Sequence, residues 1–240
     1  MKILGLDTST LTSGIAVVVD DQVVTEVRHD ASNRTADLLV AIDACCKQAG
    51  IAPMELDAVA IGAGPGSFTG LRIGMATAKG IAFAAGKPLW AVSSLAALAH
   101  DGAAQLANQQ LFPFLDGMIA AVLDARRGEV YAGIYDAQTM QLVGAERVMS
   151  PKDLVAWVTD LAVGRLVSYV GDALAVHADV LAPVASGWMT TTPSGLGVTT
   201  VALAGDRVDV LVTGGPAYIR LAEAEVMYPD GIPGAMRKRP

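Results

Sequence analysis

Residues 2–27, KILGLDTSTLTSGIAVVVDDQVVTEV, decide the reading of the fold. Residues 2–6 are an apolar run of strand length that stops at Asp7, and residues 14–19 and 22–27 are two more, joined at Asp20-Asp21. The three read as an antiparallel meander. The helical period then takes over: residues 33–49 carry Leu38, Leu39, Ile42, Cys46 and Ala49 at helical spacing and end at Gly50, a C-cap. Residues 56–62 read as a strand, 70–85 as a helix closed by Gly86, and 88–92 as the next strand. The order βββαβαβ runs antiparallel strands into parallel βαβ units, so the class is α/β, with mixed sheets flanked by helices.

The pattern restarts after a polar, Ala/Gln-rich stretch near residues 101–110. Residues 118–123, 130–135 and 141–149 read as strands, and Ser150-Pro151-Lys152-Asp153 supplies an N-cap, a proline at N1 and an acid at N3 for a helix through Trp157. Residues 166–170 form the strand that follows. This repetition predicts two related lobes, residues 1–105 and 106–240, the second irregular beyond Val180, where Pro193, Gly195 and Gly197 break any period. A length of 240 residues leaves one large domain or two lobes open, whereas 52% hydrophobic and 17% charged residues exclude a disordered or polar-tract chain. The most apolar stretch, residues 73–99, is broken by Lys79, Lys87 and Pro88, short of the roughly 18 apolar residues a membrane span needs. Residues 3–6 are too short for the apolar core of a signal peptide, about 7–15 residues. A cytoplasmic protein without a membrane partner is expected.

The chemistry-bearing residues are few. His29, His100 and His177 lie far apart, and the adjacent Cys45 and Cys46 have neither metal-ligand spacing nor a bridgeable geometry, so no metal site is expected and the cysteines read as small buried residues. No Gly-x-Ser-x-Gly elbow is present. The stretch Gly62-Ala63-Gly64-Pro65-Gly66-Ser67-Phe68-Thr69-Gly70 lies between a strand and a helix, where backbone N–H groups can receive a phosphate. It lacks the Lys-Ser/Thr end of a P-loop, and a tight turn capped by Ser67 or Thr69 accounts for it equally well. Asp7-Thr8-Ser9-Thr10 offers a second candidate, a hydroxyl-rich turn able to hold a Mg²⁺-bound phosphate through Asp7, or a turn formed for local reasons. Asp7, Thr8, Ser9, Gly64, Gly66 and Ser67 are thus the phosphate-facing candidates. The equivalent turn of the second half, Asp124-Ala125-Arg126-Arg127-Gly128, places two guanidinium groups where a phosphate cradle needs small residues. Arg126 and Arg127 either pair with carboxylates, reach an external phosphate or cap a solvated hairpin. The net charge of −7 argues against a chain that holds nucleic acid alone through a broad basic surface, and the basic tail Arg237-Lys238-Arg239 is a short solvated end.

Two helices carry surplus apolar surface. Within residues 70–85 the only charges are Arg72 and Lys79, seven apart on one stripe, while Gly70, Gly74 and Ala78 form an i, i+4 row that a second helix can approach closely. In residues 33–49, Val40 and Ala44 share a face with Asp37 and Lys47. A sheet covers one side of each helix, so the remainder is buried either by a partner or by the second lobe. Ala36, Val40, Ala44, Lys47, Gly74, Ala78 and Ile81 are the candidate interface residues. No catalytic residue is assigned.

These residues together resemble a family. Ile3-Leu4-Gly5-Leu6-Asp7-Thr8, the run from Gly64 through Gly74 with Ala76-Thr77-Ala78-Lys79-Gly80, and Val92-Ser93-Ser94-Leu95 are similar to the bacterial TsaB (YeaZ) family. Leu123-Asp124-Ala125-Arg126-Arg127-Gly128-Glu129-Val130-Tyr131 and Pro216-Ala217-Tyr218-Ile219-Arg220 resemble its later signatures. The resemblance implies an actin/Hsp70/sugar-kinase-like two-lobe fold. It also implies a non-catalytic scaffold that binds TsaD, the subunit transferring the threonylcarbamoyl group to adenosine 37 of tRNA. TsaE, an ATPase, is the further implied partner, with tRNA reached through the complex and at most weak ATP or ADP with Mg at the assembled complex; for the chain alone, the apolar helices leave a homodimer and a monomer both open. Where relatives read His-Ser-Glu before the Leu-Leu of the first helix, this chain has Arg34-Thr35-Ala36. The rival expectation is a stand-alone ATPase or kinase of the same fold.

Overall fold

The computed structural model describes residues 1–20, 22–30, 36–108 and 117–219. Strands β1 (Lys2–Asp7), β2 (Thr12–Val19) and β3 (Gln22–Asp30) form the expected meander, with Lys2 opposite Val19 and Asp7 opposite Gly14. β4 (Ala58–Gly62) runs parallel to β1, and β5 (Leu89–Val92) parallel to β4. Between them lie the helices α1 (Ala36–Ala49) and α2 (Phe68–Ala85). Gly86 ends α2 in the left-handed conformation, at φ 65°, where a Cβ would be strained. Alternation along β1 sorts the core: Leu4 and Leu6 face a cluster with Leu38, Ile42 and Cys46 of α1 and Met75, Ala78 and Ala82 of α2, whereas Ile3 faces the opposite side. Helices α1 and α2 therefore lie on the same outer face of this sheet.

The next helix, α3 (Ser94–Asn108), takes in most of the stretch read as polar and Ala/Gln-rich. The expected boundary between residues 105 and 106 falls inside it. A second sheet follows, of β6 (Met118–Arg126), β7 (Glu129–Asp136), β8 (Arg147–Met149), β9 (Val167–Val170) and β10 (Gly187–Met189). β6, β7 and β8 are antiparallel neighbours, and β6, β9 and β10 are parallel ones. The strand expected over 141–149 is thus mainly its last three residues, preceded by an isolated bridge between Tyr135 and Leu142. Helices α4 (Pro151–Ala162), α5 (Ala173–Val176) and α6 (Ala178–Leu181) cover the outer face of this sheet. Ser150 caps α4 as its sequence foretells, accepting from Asp153 N at 3.2 Å.

The end of the chain then returns to the first sheet. Helix α7 (Gly195–Leu203) packs on β1 and β2, and β11 (Val208–Asp209) pairs antiparallel with β5, completing the order β11-β5-β4-β1-β2-β3. A lobe of residues 106–240 does not describe this: α7 and β11 belong structurally with the first 92 residues. Their contact is very close. A Cβ on Gly5 would lie 2.1 Å from the Gly195 carbonyl oxygen, and one on Gly195 would lie 2.3 Å from Ala16 N. Helices α3 and α7 form a middle layer between the two sheets, sharing one core with Ile3 on one side and Ile119, Ala121 and Leu123 on the other.

Candidate functional site

The turn after β1 is built from side chains that satisfy one another. Asp7 is fully buried. One carboxylate oxygen accepts from Ser9 N at 2.8 Å and Ser9 Oγ at 2.5 Å, and the other accepts from Ser94 Oγ at 2.7 Å. Ser94 Oγ in turn accepts from Gly64 N at 3.2 Å, so one carboxylate ties β1, the glycine-rich loop and the start of α3 together. Burial holds Asp7 above the ordinary carboxylate range, against the pull of the Ser9 and Ser94 donors. A Cβ at Gly62 would sit 1.8 Å from the Asp7 carboxylate, which explains the first glycine of the loop. Thr8, Ser9 and Thr10 are buried as well. Thr8 Oγ1 donates to the Gly70 carbonyl at 2.9 Å, and Ser67 N donates to the Ser9 carbonyl at 2.7 Å.

The structure thus brings all six phosphate-facing candidates together, Asp7, Thr8 and Ser9 packed under Gly64, Gly66 and Ser67, but turned towards each other. This donor set, as folded, does not fit a Mg²⁺-bound phosphate: Asp7 is fully buried, and three donors of the same chain, from Ser9 and Ser94, take up most of the acceptor capacity of its carboxylate. Ser67 has a local duty too, capping α2 by accepting from Gly70 N at 3.3 Å.

The interface candidates divide. On α1, Val40 is 67% exposed, Ala44 and Lys47 also face outward, and Lys47 pairs with Asp43 at 2.6 Å; Leu39, not among the candidates, adds apolar surface. Ala36 opens the helix, its side chain and residues 34 and 35 lying outside the described residues. On α2 the candidates Gly74 and Ala78 point inward. A Cβ on Gly74 would lie 2.0 Å from Thr8 Oγ1, Ala78 is buried against the sheet, and Ile81 is half-buried. The close neighbour that Gly70 and Gly74 admit is the turn after β1. The outward face of α2 consists instead of Arg72, Ala76, Gly80, Phe83 and Ala84, with Phe83 80% exposed. A helical wheel referred to the sheet-facing residues Met75, Ala78 and Ala82 would have selected that face.

In the second half, Arg126, Arg127 and Gly128 occupy left-handed conformations in succession, at φ 63°, 58° and 77°. Arg126 folds back on Asp124, 3.1 Å from its carboxylate, and Asp124 N donates to Asp172 at 2.9 Å. For Arg126 the pairing with a carboxylate is therefore the arrangement seen. Sequence reading missed a further polar contact between the halves: the Glu146 carboxylate accepts from Ser93 Oγ and, at 2.9 Å, from Tyr135 OH, and burial raises both Glu146 and Tyr135 above their ordinary values. Cys45 and Cys46 are buried free thiols, Cys45 pushed by burial up to about 11. Among the described residues no group of three or more His, Cys, Asp or Glu could hold a metal ion, and no helix is long and apolar enough to cross a membrane.

The two sheets repeat one plan, three antiparallel strands continued by two parallel ones in the orders β3-β2-β1-β4-β5 and β8-β7-β6-β9-β10, with helices on both faces. That duplication defines an actin/Hsp70/sugar-kinase-like protein. A family model described as TsaD, tRNA N6-adenosine threonylcarbamoyltransferase, matches residues 28–233. The tRNA threonylcarbamoyladenosine biosynthesis protein TsaB of Bacillus subtilis is 33% identical, over 95% of this chain and 98% of its own length. Its Escherichia coli namesake is 32% identical over 56% of this chain and 55% of the relative. Among solved structures, YeaZ from Pseudomonas aeruginosa superimposes with a TM-score of 0.71 at 26% identity, covering 90% of this chain and 99% of that one. The chain belongs to the TsaB (YeaZ) family.

Proposed function

We propose that this chain is a non-catalytic subunit in the formation of threonylcarbamoyladenosine on tRNA, acting in the cytoplasm by binding and supporting a TsaD subunit. The observation that carries the reading is the closure of the turn after β1: Asp7, Thr8 and Ser9, the phosphate-facing candidates of the sequence, are engaged by bonds within the chain. The names of the relatives support the pathway, and the match to a TsaD model supports kinship with the transferase itself. Related chains can pack equivalent helices face to face, and the outward sides of α1 and α2 present Leu39, Val40, Phe83 and small residues for this. TsaE joins such a pair, tRNA is reached through the assembly, and the same faces pair two copies of this chain when TsaD is absent. Nucleotide binds the isolated chain weakly at most.

Two measurements test this. Co-purification with the TsaD of the same organism, followed by gel filtration, is expected to give a stable complex. Titration of the isolated chain with Mg-ATP in a calorimeter is expected to show no tight binding; sub-micromolar affinity abolished by Asp7→Ala would instead establish a stand-alone ATPase or kinase.

A further inference from the structure

The charged stripe of α2 is occupied by the chain's own last described residues. After β11 the backbone turns at residues 210–214, with Gly214 N donating to the Val210 carbonyl at 3.3 Å, and runs back along α2 towards the glycine-rich loop. It is fastened at three levels. Lys79 Nζ donates to the Gly214 carbonyl at 2.6 Å. Ala217 N donates to the Ala63 carbonyl at 2.7 Å, and a Cβ on Gly64 would lie 2.8 Å from the Ala217 oxygen, so the strand of chain lies directly on the loop. Tyr218 then stacks on Phe68 with ring centroids 5.3 Å apart and accepts from Arg72 Nε at 3.1 Å, while the Arg72 guanidinium lies 3.9 Å over the Phe68 ring. Phe68, Arg72 and Lys79 are spaced by four and seven residues, which puts all three on one flank of the helix.

We infer that residues 214–219 are a strap that holds the glycine-rich loop and the first turn of α2 in place, with Tyr218 and Arg72 as its positioning residues, and that partner binding depends on the strapped state. From beneath, the loop is gripped by Ser9 through Ser67 N, by Thr8 through the Gly70 carbonyl, by Val92 through Ala63 N and by Ser94 through both Gly64 N and the Gly64 carbonyl. The strap closes the other side. Phe68 and Tyr218 remain 41% and 45% exposed, so the fastening lies at the protein surface, at the end of the helix whose outward face is proposed to meet the partner. A partner that requires α2 in this position binds only the strapped fraction, and its apparent affinity falls in proportion when that fraction falls. The dependence on a partner rests on the function proposed above; the strap itself does not.

Hydrogen exchange of the full chain separates the two. The Phe68–Tyr218 ring pair and the hydrogen bond from Arg72, both lost with Tyr218→Ala, together correspond to about a tenfold shift in a local opening equilibrium. Tyr218→Ala is therefore expected to speed exchange at the Gly64, Ser67 and Leu71 amides about tenfold, leaving α3 and α4 unchanged, with Tyr218→Phe, which keeps the stack and loses the Arg72 bond, in between. Unchanged exchange at those amides overturns the strap. If Tyr218→Ala loosens the whole protein, Arg72→Ala and Tyr218→Phe decide by the same comparison. Affinity of the same variants for TsaD is expected to fall by the factor by which the strapped fraction falls, approaching tenfold with Tyr218→Ala only where exchange shows the loop mostly open. Unchanged affinity in a variant whose exchange shows the loop mostly open overturns the dependence of binding on the strap, whereas a wild-type chain that fails to bind overturns the proposed function and leaves the exchange result to stand alone.

Discussion

Asp101 places a carboxylate in the middle layer, where it receives the start of α7: Ser194 N and Ser194 Oγ both donate to it at 2.7 Å, and Ser194 Oγ accepts from Gly197 N at 2.8 Å. Burial pushes its pKa from 3.8 up to about 6, the two Ser194 bonds only partly opposing it. The folded value lies above the unfolded one, so between roughly pH 4 and 6 the folded state binds the proton more tightly. Ionisation of Asp101 therefore removes stability as pH rises through that window, and the stability returns as pH falls. The gap between 3.8 and about 6 corresponds to about 3 kcal/mol. Asp101→Asn keeps one acceptor for Ser194 and abolishes the titration. Urea unfolding of both proteins at steps from pH 7 to pH 4 is predicted to show the wild type gaining up to about 3 kcal/mol relative to the variant as the solution is acidified. Asp7, Glu146 and Asp172, also raised by burial, titrate in both proteins and cancel in the difference. A difference that stays level across the window would refute the reasoning.

Other substitutions probe the packing and the outer face. Val40→Asp is predicted to leave the thermal melt within about 0.5 kcal/mol of wild type, since the side chain is 67% exposed, and to abolish complex formation with TsaD on gel filtration. Gly80→Ala is predicted to stabilise the isolated chain by about 0.5–1 kcal/mol, because a Cβ there meets nothing within 4 Å, yet to weaken TsaD binding by crowding the outward face of α2. A calorimetric melt and a binding isotherm on one sample check both halves. Gly5→Ala is predicted to destabilise by about 3 kcal/mol or more, since its Cβ would press into the Gly195 backbone, and denaturant unfolding measures it.

Much of this architecture was legible because its signals are local. β1 to β5, α1, α2, β6, β7, α4 and β9 each announce themselves by an apolar run or period with turn residues at the ends. α3 does not. Its first part, Ser94–Ala99, is buried throughout between the two sheets and carries no apolar–polar alternation, and its Gln and Asn residues dominate the reading near its end. α7 is harder still, since Gly195, Gly197 and the β-branched Val198, Thr199 and Thr200 are poor helix formers; Gly195 is required for the approach to β2, a contact across some 180 residues that no local pattern encodes. The site shows the same division. The glycine-rich loop could be located from its residues, but the small residues on α2 read as room for another helix, whereas the neighbour of Gly70 and Gly74 is Thr8 of the same chain, a contact only the fold reveals. Val40, Ala44 and Lys47 face outward as their helical spacing requires, because α1 has a clear buried stripe to refer them to.

The central claim is that this chain enables another subunit's chemistry and performs none itself. Its direct test is reconstitution with purified TsaD, TsaE, tRNA, ATP and a threonylcarbamoyl-adenylate source, with the modified nucleoside quantified as each subunit is left out in turn. The account predicts multiple-turnover modification only when this chain is present, sustained equally by an Asp7→Asn variant shown to be folded and lost with Val40→Asp. Full turnover by TsaD and TsaE without this chain would contradict it.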